Sequence, residues 1–530
     1  MADKKKLKVW LPLLLSLCMI AGMFVGYRIR GNMPDRGIFF VERTRPVQEV
    51  LDLINKKYVD SVNIDSLGDV AIQAVLGGLD PHSVFIPASR MQEVNEDLEG
   101  VFFGIGVEFS IINDTANTMR VLQGGPSERA GMKPGDKFIK VNGVLVAGNH
   151  ITNDKLKEIM RGKSGTKVDA EILRNGKLIN KQIIRGPVRL FSIDASYMLN
   201  DSIGFIRISR FSETTYKEFM IAMDSLHKKG MRALVLDLRD NGGGILTEAT
   251  HIADEFLSGN KLITYTEGAH SPKKEYRCDK DGVFEKGSLV VLINEGTASA
   301  SEVLAGALQD WGRAKIVGRR SFGKGLVQEQ YELGDGSGLR LTVARYFTPL
   351  GRSIQRSYKA GNEAYYHDII DRFKSGEMLH GDSINHAGEK KYITAAGNVL
   401  YGGDGITPDV FVPIDSMQLG KPVMRALLKG TLDQFVYFNY LNNQHTISQF
   451  QNPQIFNKDF VVGNPELENF KSFAQKDSIH VNLGDANERH QISQQIKMLT
   501  ARLVWGTGGF FEVKNATDST IRKSLEIIEK

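Results

Sequence analysis

"SLVVLINEGTASASEVLAGALQDWG", residues 288–312, reads as a strand, a short polar turn and a helix. The opening apolar run is near-continuous rather than alternating, which is the pattern of a strand covered on both faces. After "NEGTAS" the apolar residues return at helical spacing. The same alternation fills the neighbouring sequence. "SIGFIRIS" (202–209) is followed by the amphipathic "TTYKEFMIAMDSLHKKG" (214–230), and "ALVLDLR" (233–239) by "LTEATHIADEFL" (246–257). Strands and helices in this order predict a parallel or mixed sheet with helices on both faces over residues 188–358. Loops at the strand ends of such a sheet gather functional groups.

Three loops there carry candidate chemistry. In "NEGTASASE" (294–302), Ser299 stands where strand yields to helix, so its hydroxyl is exposed and the next N–H groups lie at a helix N-terminus. That is the geometry of an acyl-transfer nucleophile. The spacing of Ser299 and Glu302 also fits a capping box, in which the serine only satisfies orphan amides. Thr297 and Ser301 are rival hydroxyls. No histidine stands out as the base, since His227 and His251 both fall within helices. A lysine can take that part if its ammonium is desolvated and its pKa falls.

"GRRSFGKG" (318–325) supplies a lysine. Its spacing comes within one residue of a phosphate-binding loop, but Gly325 stands where Ser or Thr would reach magnesium. The following "LVQEQYELGDGSGLRLTVARYF" (326–347) predicts a hairpin rather than the helix that such a loop needs. A nucleotide is therefore not expected. Lys324, between two glycines and near apolar Phe322 and Leu326, is a candidate base, with an ordinary surface lysine as the alternative. In "DNGGG" (240–244) the glycines let backbone N–H groups face a ligand. They form either a tight turn without function or half of an oxyanion hole completed by the Ala300 N–H.

Outside this core, residues 99–187 change to short strands around a few short helices, a compact binding barrel. "GIGV" (104–107), "SERAGMKPGDKFIKVNG" (127–143) and the helix after them resemble a PDZ domain. Residues 31–98 read as a helical segment broken by "LDPHSVFIP" (79–87). Residues 359–398 are polar and predict an exposed insertion, after which "GGDGITPDVFVP" (402–413) returns to the core over 399–415. Residues 416–530 are helical and carry no catalytic motif. A role for them in a homo-oligomer or in docking a partner rests on helical character alone.

At the N-terminus, within residues 1–30, "MADKKKLK" precedes a charge-free run over residues 9–27, long enough to span a bilayer. Four lysines before it, against Arg28 and Arg30 after it, place the N-terminus in the cytoplasm. No A-x-A pattern closes the run, which favours an uncleaved anchor over a signal peptide. Leu17 is bulky for a lipid-modified Cys18. The expected location is a bacterial inner membrane, crossed once, with the catalytic body on the periplasmic side. A formal charge of +5 over 530 residues, with the basic residues scattered, gives nucleic-acid binding no support. Cys278 has no partner outside the membrane segment, so an intramolecular disulfide in the body is excluded.

"LVLDLRDNGGGILTEA" (234–249), "VVLINEGTASASEVLAGALQDWGRAKIVGRRSFGKGLVQ" (290–328) and "RYFTPLGRSIQ" (345–355) resemble the core motifs of the carboxyl-terminal processing peptidases, or tail-specific proteases. "LDPHSVFI" and "GDGITPDVFV" match flanking motifs, and the resemblance runs from about residue 45 to 415. It implies Ser299 as nucleophile, Lys324 as general base and Gln328 as the residue that orients the lysine. Positions four apart on a strand face the same side, so Gln328 can reach the Lys324 amine. The oxyanion donors would be Ala300 with Gly243 or Gly244. The PDZ domain would bind the free C-terminal end of a protein substrate as an added strand, its carboxylate held by the loop of Gly104, Ile105, Gly106 and Val107. No metal or organic cofactor is implied. The fold expected is multidomain α/β: a PDZ-like domain, a protease core with a mixed sheet, an N-terminal membrane anchor and a helical C-terminal region. A membrane-tethered PDZ adaptor that binds tails without cutting them is the other class, and the intact Ser299, Lys324 and Gln328 set argues against it.

Overall fold

The computed structural model describes residues 3–32, 46–384, 386, 388–414 and 419–530. The chain divides into two units, Met1–Ile72 and Gln73–Lys530. The first carries the helices Asp3–Asn32 and Pro46–Lys57 and most of Ile64–Gly77. Among the described residues no helix is long and apolar enough to cross a membrane. In Asp3–Asn32 the side chains of residues 10–26 are described, and all are exposed. The anchor expected over residues 9–27 therefore gains no support from the fold, and the side chains of its flanking lysines and arginines lie outside the described residues.

In the second unit the expected mixed sheet is present. Its strands run Ile193–Met198, Ile203–Ile208, Ala233–Asp237, Leu289–Ile293, Lys315–Gly318 and Val410–Phe411 in spatial order. The first pair is antiparallel and every later pair parallel. All residues of Ala233–Asp237 and Leu289–Ile293 are buried, as near-continuous apolar strands must be when both faces are covered. On one face lie the helices Thr215–Lys228, Leu246–Asp254 and Ala300–Asp310, through Phe219, Ile252 and Leu304.

The other face is covered by the end of the chain. Phe511 from the helix Ala486–Asn515 and Ile521 from Ser519–Ile528 pack with Phe205, Val235 and Leu292 of the sheet. The earlier half of Ala486–Asn515 belongs to a different cluster, with Ile492 and Ile496 against Phe435 and Phe470. Gly506 separates the halves at φ 73° and ψ −157°, and a Cβ there would lie 2.7 Å from the Arg120 guanidinium. Part of the apolar surface of the C-terminal helices is thus buried within this chain.

The PDZ-like region is an antiparallel sheet ordered Val107–Ile112, Thr115–Val121, Lys137–Val141, Lys167–Arg174, Lys177–Ile184, with Val144–Leu145 beside Lys137–Val141. Val107–Ile112 lies at an edge. The sheet rests on the C-terminal helices, where the Tyr437 hydroxyl donates to the Thr118 carbonyl at 3.2 Å and Arg502 pairs with Glu108 at 3.5 Å.

A third sheet carries the lysine loop. As the sequence predicts, Leu326–Glu332 and Gly338–Phe347 form a hairpin, and Val84–Ile86 adds to its far side. Most described residues of the insertion over 359–398 are exposed, and it is anchored at a few buried points: Tyr365 and Arg372 are buried, and the Arg372 guanidinium donates to the Ser321 carbonyl at 2.8 Å. At these points charges pair inward, Arg320 with Glu377 at 2.6 Å for instance, so a few charged residues of a largely exposed segment belong to a buried ion network.

Candidate active site

Ser299 follows the strand Leu289–Ile293 and opens the helix Ala300–Asp310 with φ 57° and ψ −118°, a strained backbone for a residue with a side chain. The turn is held by its neighbours. Thr297 Oγ1 donates to the Leu238 carbonyl at 2.9 Å, Ser301 Oγ donates to the Asn241 carbonyl at 3.0 Å, and the Ala298 N–H donates to that same carbonyl at 2.9 Å. Both rival hydroxyls are fully buried and committed to backbone, which leaves Ser299 as the hydroxyl that reaches the cavity.

The capping box is also real, since Glu302 accepts the Ser299 N–H at 2.8 Å. Capping and nucleophilic roles coexist, because this bond uses the Ser299 backbone N–H and the Glu302 N–H donates to the Ser299 carbonyl at 2.8 Å, so the hydroxyl keeps its own proton to give. Glu302 does more than cap. Its buried carboxyl also accepts the Lys324 N–H at 2.9 Å, the Gly323 N–H at 2.8 Å and the Ser321 hydroxyl at 2.5 Å. Burial pushes its pKa up, and these donors oppose the rise.

Lys324 is largely desolvated, and its Nζ donates to Gln328 Oε1 at 2.8 Å. Burial pushes its pKa down and the nearby Arg340 charge adds to the fall, while Glu302 and Asp80 oppose it. The alternative of an ordinary surface lysine is excluded by this environment. Gln328 is itself oriented: its Nε2 donates to the His82 carbonyl, which turns Oε1 towards the lysine. That carbonyl belongs to a turn built on Asp80, whose carboxylate accepts the N–H groups of His82 and Ser83 at 2.8 and 2.9 Å and the Ser83 hydroxyl at 2.6 Å. The His82 imidazole is held neutral, its pKa lowered to about 4 by burial first and by Lys324 next. The Tyr346 hydroxyl lies within hydrogen-bonding reach of the Ser299 and Lys324 carbonyls.

These elements surround a cavity of about 540 Å³ lined by Ser299, Ala300, Lys324, Gln328 and glycines 242–244. Among the expected oxyanion donors Gly243 is corrected: its N–H already donates to Asn241 Oδ1 at 2.9 Å. An Asn two residues earlier closes such a turn on itself. The N–H groups of Gly244 and Ala300 have no acceptor among the described residues. Gly104, Ile105, Gly106 and Val107 lie apart from this cavity, where Ile105 and Gly106 offer their carbonyls to Ser127 and Leu122.

Glu302 was visible in the sequence only as a cap, and Asp80 and His82 only as part of a flanking motif. Asn241, Tyr346 and Arg340 had no signal that separates them from their neighbours. Chemically the set offers a hydroxyl, a desolvated amine and free amide donors around one space, which suits acyl transfer.

A strained serine at a strand-to-helix turn, sharing one cavity with a desolvated lysine in a chain that also carries a PDZ-like sheet, defines a serine-type peptidase. Comparison with known proteins agrees. The model of peptidase family S41 matches residues 202–361, that of the PDZ domain residues 118–174, and that of a family of unknown function residues 423–506. Carboxy-terminal processing protease CtpA of Bacillus subtilis (strain 168) is 34% identical over 377 residues, covering 68% of this chain and 79% of that protein. A probable CtpA-like serine protease of Staphylococcus aureus (strain MRSA252) is 33% identical over 342 residues, covering 64% and 67%. Among solved structures, a photosystem II D1 C-terminal processing protease is 26% identical, covers 70% of this chain and 92% of that one, and superposes with a TM-score of 0.35. The chain belongs to the carboxyl-terminal processing peptidases of family S41.

Proposed function

We propose that Ser299 attacks a peptide carbonyl with Lys324 as its general base, on protein substrates delivered by their C-terminal tails. The observation that carries this is the desolvated Lys324 amine, held at 2.8 Å from Gln328 Oε1 on the wall of the cavity that Ser299 shares. A neutral amine has two N–H groups and one lone pair. Gln328 takes an N–H, which fixes the amine's rotation and leaves the lone pair for the serine proton. Ser299 Oγ then bonds to the carbonyl carbon, and the oxygen that becomes negative faces the N–H groups of Ala300 and Gly244. Each such donor contributes on the order of 3 kcal/mol to the transition state. The Lys324 ammonium returns its proton to the leaving amine, and water, deprotonated by the same lysine, releases the acyl group.

Tail recognition is supported by the free edge of Val107–Ile112, beside the loop of Gly104, Ile105, Gly106 and Val107, where an extended chain can add as a strand. Action outside the cytoplasm, on a body tethered by residues 9–27, is supported by the charge-free run and its flanking lysines alone. Fractionation of cells expressing the full chain tests it, and protein that stays in the soluble cytoplasmic fraction overturns it.

For the chemistry, Ser299→Ala and Lys324→Ala should each abolish cleavage of a protein with an unstructured tail, and a phosphonylating probe should label Ser299 in the unmodified enzyme. Turnover that survives either substitution overturns the assignment.

A further inference from the structure

Arg340 is the arginine that lines the cavity of Ser299 and Lys324. The buried arginines of the protease core, Arg207, Arg320, Arg352, Arg356 and Arg372, each pair with an aspartate or glutamate. Arg340 has no carboxylate partner among the described residues. Its guanidinium donates to the neutral Gln330 Oε1 at 3.0 Å, and Gln330 is fixed in turn through its Nε2, which donates to Asn95 Oδ1 at 2.9 Å. The residue is rigidly placed, in register between Val84 and Gln330 in the third sheet. It is half-buried and lines the cavity of Ser299 and Lys324.

Withdrawing a guanidinium from water without an anion costs free energy that a buried pair recovers. Burial alone acts on Arg340, pushing its pKa down with no opposing acid. A planar fork of five N–H donors with one acceptor engaged is suited to a carboxylate, which it binds bidentately. The same charge disfavours the Lys324 ammonium, so an anion bound at Arg340 changes the base as well as the fit.

We propose that Arg340 receives a carboxylate of the substrate chain inside the cleft and thereby selects where the chain is cut. This rests on Ser299 and Lys324 being the reacting groups. A carboxylate reaches the cleft from an Asp or Glu side chain at a fixed spacing from the scissile bond, or from the substrate's own C-terminus close to that bond. The chemistry at Arg340 is the same for both.

The test uses the full chain and a series of fluorogenic peptides in which Asp and Glu are scanned along a neutral sequence against Asn and Gln, each made as free acid and as C-terminal amide. The expected result is a preference of at least about tenfold in kcat/KM for a carboxylate at one position, roughly one well-formed charged contact. A preference that follows the internal residue assigns the side chain, and one that amidation removes assigns the terminus. Arg340→Gln should bring the ratio of acidic to neutral peptide close to one, and Arg340→Lys should retain part of it. The pH profile gives a readout that loss of packing would not move. Without the Arg340 charge the Lys324 pKa rises, so the acid limb for neutral peptides should shift to higher pH in Arg340→Gln. In the unmodified enzyme it should lie higher for the acidic peptide than for the neutral one. Absence of any preference in the unmodified enzyme, or a preference kept in Arg340→Gln, overturns the inference while Ser299→Ala remains inactive. Cleavage by Ser299→Ala at the unmodified rate overturns the underlying site instead, and the inference with it.

Discussion

Ser299 and Lys324 are joined through a single atom, because Oε2 of Glu302 accepts the backbone N–H of the first at 2.8 Å and of the second at 2.9 Å. Nucleophile and base come from different sheets, and this buried carboxylate fixes their separation. Glu302→Gln replaces one acceptor oxygen with an NH2 that faces donors. A charged group lost from such a network, with donors left unsatisfied, costs about 2–3 kcal/mol. Urea unfolding should show a loss of that size, and kcat should fall about 10- to 100-fold from misplacement alone. Unchanged kcat with unchanged stability would show that Glu302 does not hold Ser299 and Lys324 in place.

The lowered Lys324 pKa sets the direction of two pH effects. Activity requires the neutral amine, so kcat/KM should fall as pH drops through the lowered value, and His82, held near 4, is neutral over the window above it. For stability the sign is opposite to that of a paired lysine. Between the folded and unfolded pKa the unfolded chain binds a proton that the folded chain does not, so stability falls as pH drops through that window. Lys324→Met removes the protonation penalty. It should therefore raise Tm at neutral pH while abolishing turnover, and a lower Tm at that pH would contradict the desolvated amine.

Gly244 carries backbone that no other residue can adopt at this place. Its φ is 140°, and a Cβ would stand 2.1 Å from the Phe211 carbonyl oxygen. Gly244→Ala should lose more than about 1–3 kcal/mol of stability and about 100-fold or more in kcat, since the strand-like contact to Phe211 and an oxyanion donor move together. Gly242, with a negative φ and open space around its Cβ position, should accept Ala at no more than about 0.5 kcal/mol in urea unfolding. Equal losses at both positions would contradict the assigned geometry.

What could be read in advance follows the range of the interaction. Ser299, its strand and its helix are local, and Lys324 and Gln328 follow Ser299 by 25 and 29 residues. The Asp80 turn that aims Gln328 lies some 240 residues earlier, and nothing in "LDPHS" tells which side chain its carbonyls will meet. The sequence leaves the second oxyanion donor open between Gly243 and Gly244, and the choice falls on Gly244 because Asn241, two residues before Gly243, takes the Gly243 N–H, a turn rule that outweighs the looser expectation of free amides in a glycine run. Composition reads the exposed majority of the insertion but not its anchors: Arg372 and Glu377 are buried charged residues in a network that reaches Asp404, and only the folded chain singles them out.

The second face of the protease sheet depends on the last 25 or so residues. The helices there are amphipathic in sequence, but amphipathicity names a face and not the surface it covers. Phe511 is the test residue: it is buried against the sheet cluster, and the Arg207 guanidinium lies 4.3 Å from its ring centroid. Truncating a buried phenylalanine costs about 3–5 kcal/mol, and the lost cation–π contact adds to it. Phe511→Ala should lower the unfolding free energy measured in urea by that amount, with a lower midpoint, and leave the acid limb of the pH profile in place, because the cavity lies across the sheet ends and not on this face. A chain stopped before Gly506 should lose the cooperative unfolding transition of the protease core altogether, since Phe205, Val235 and Leu292 would face water. If Phe511→Ala unfolds at the original midpoint, or the shortened chain keeps full activity and cooperativity, the C-terminal helices are an accessory to the peptidase and not its second layer.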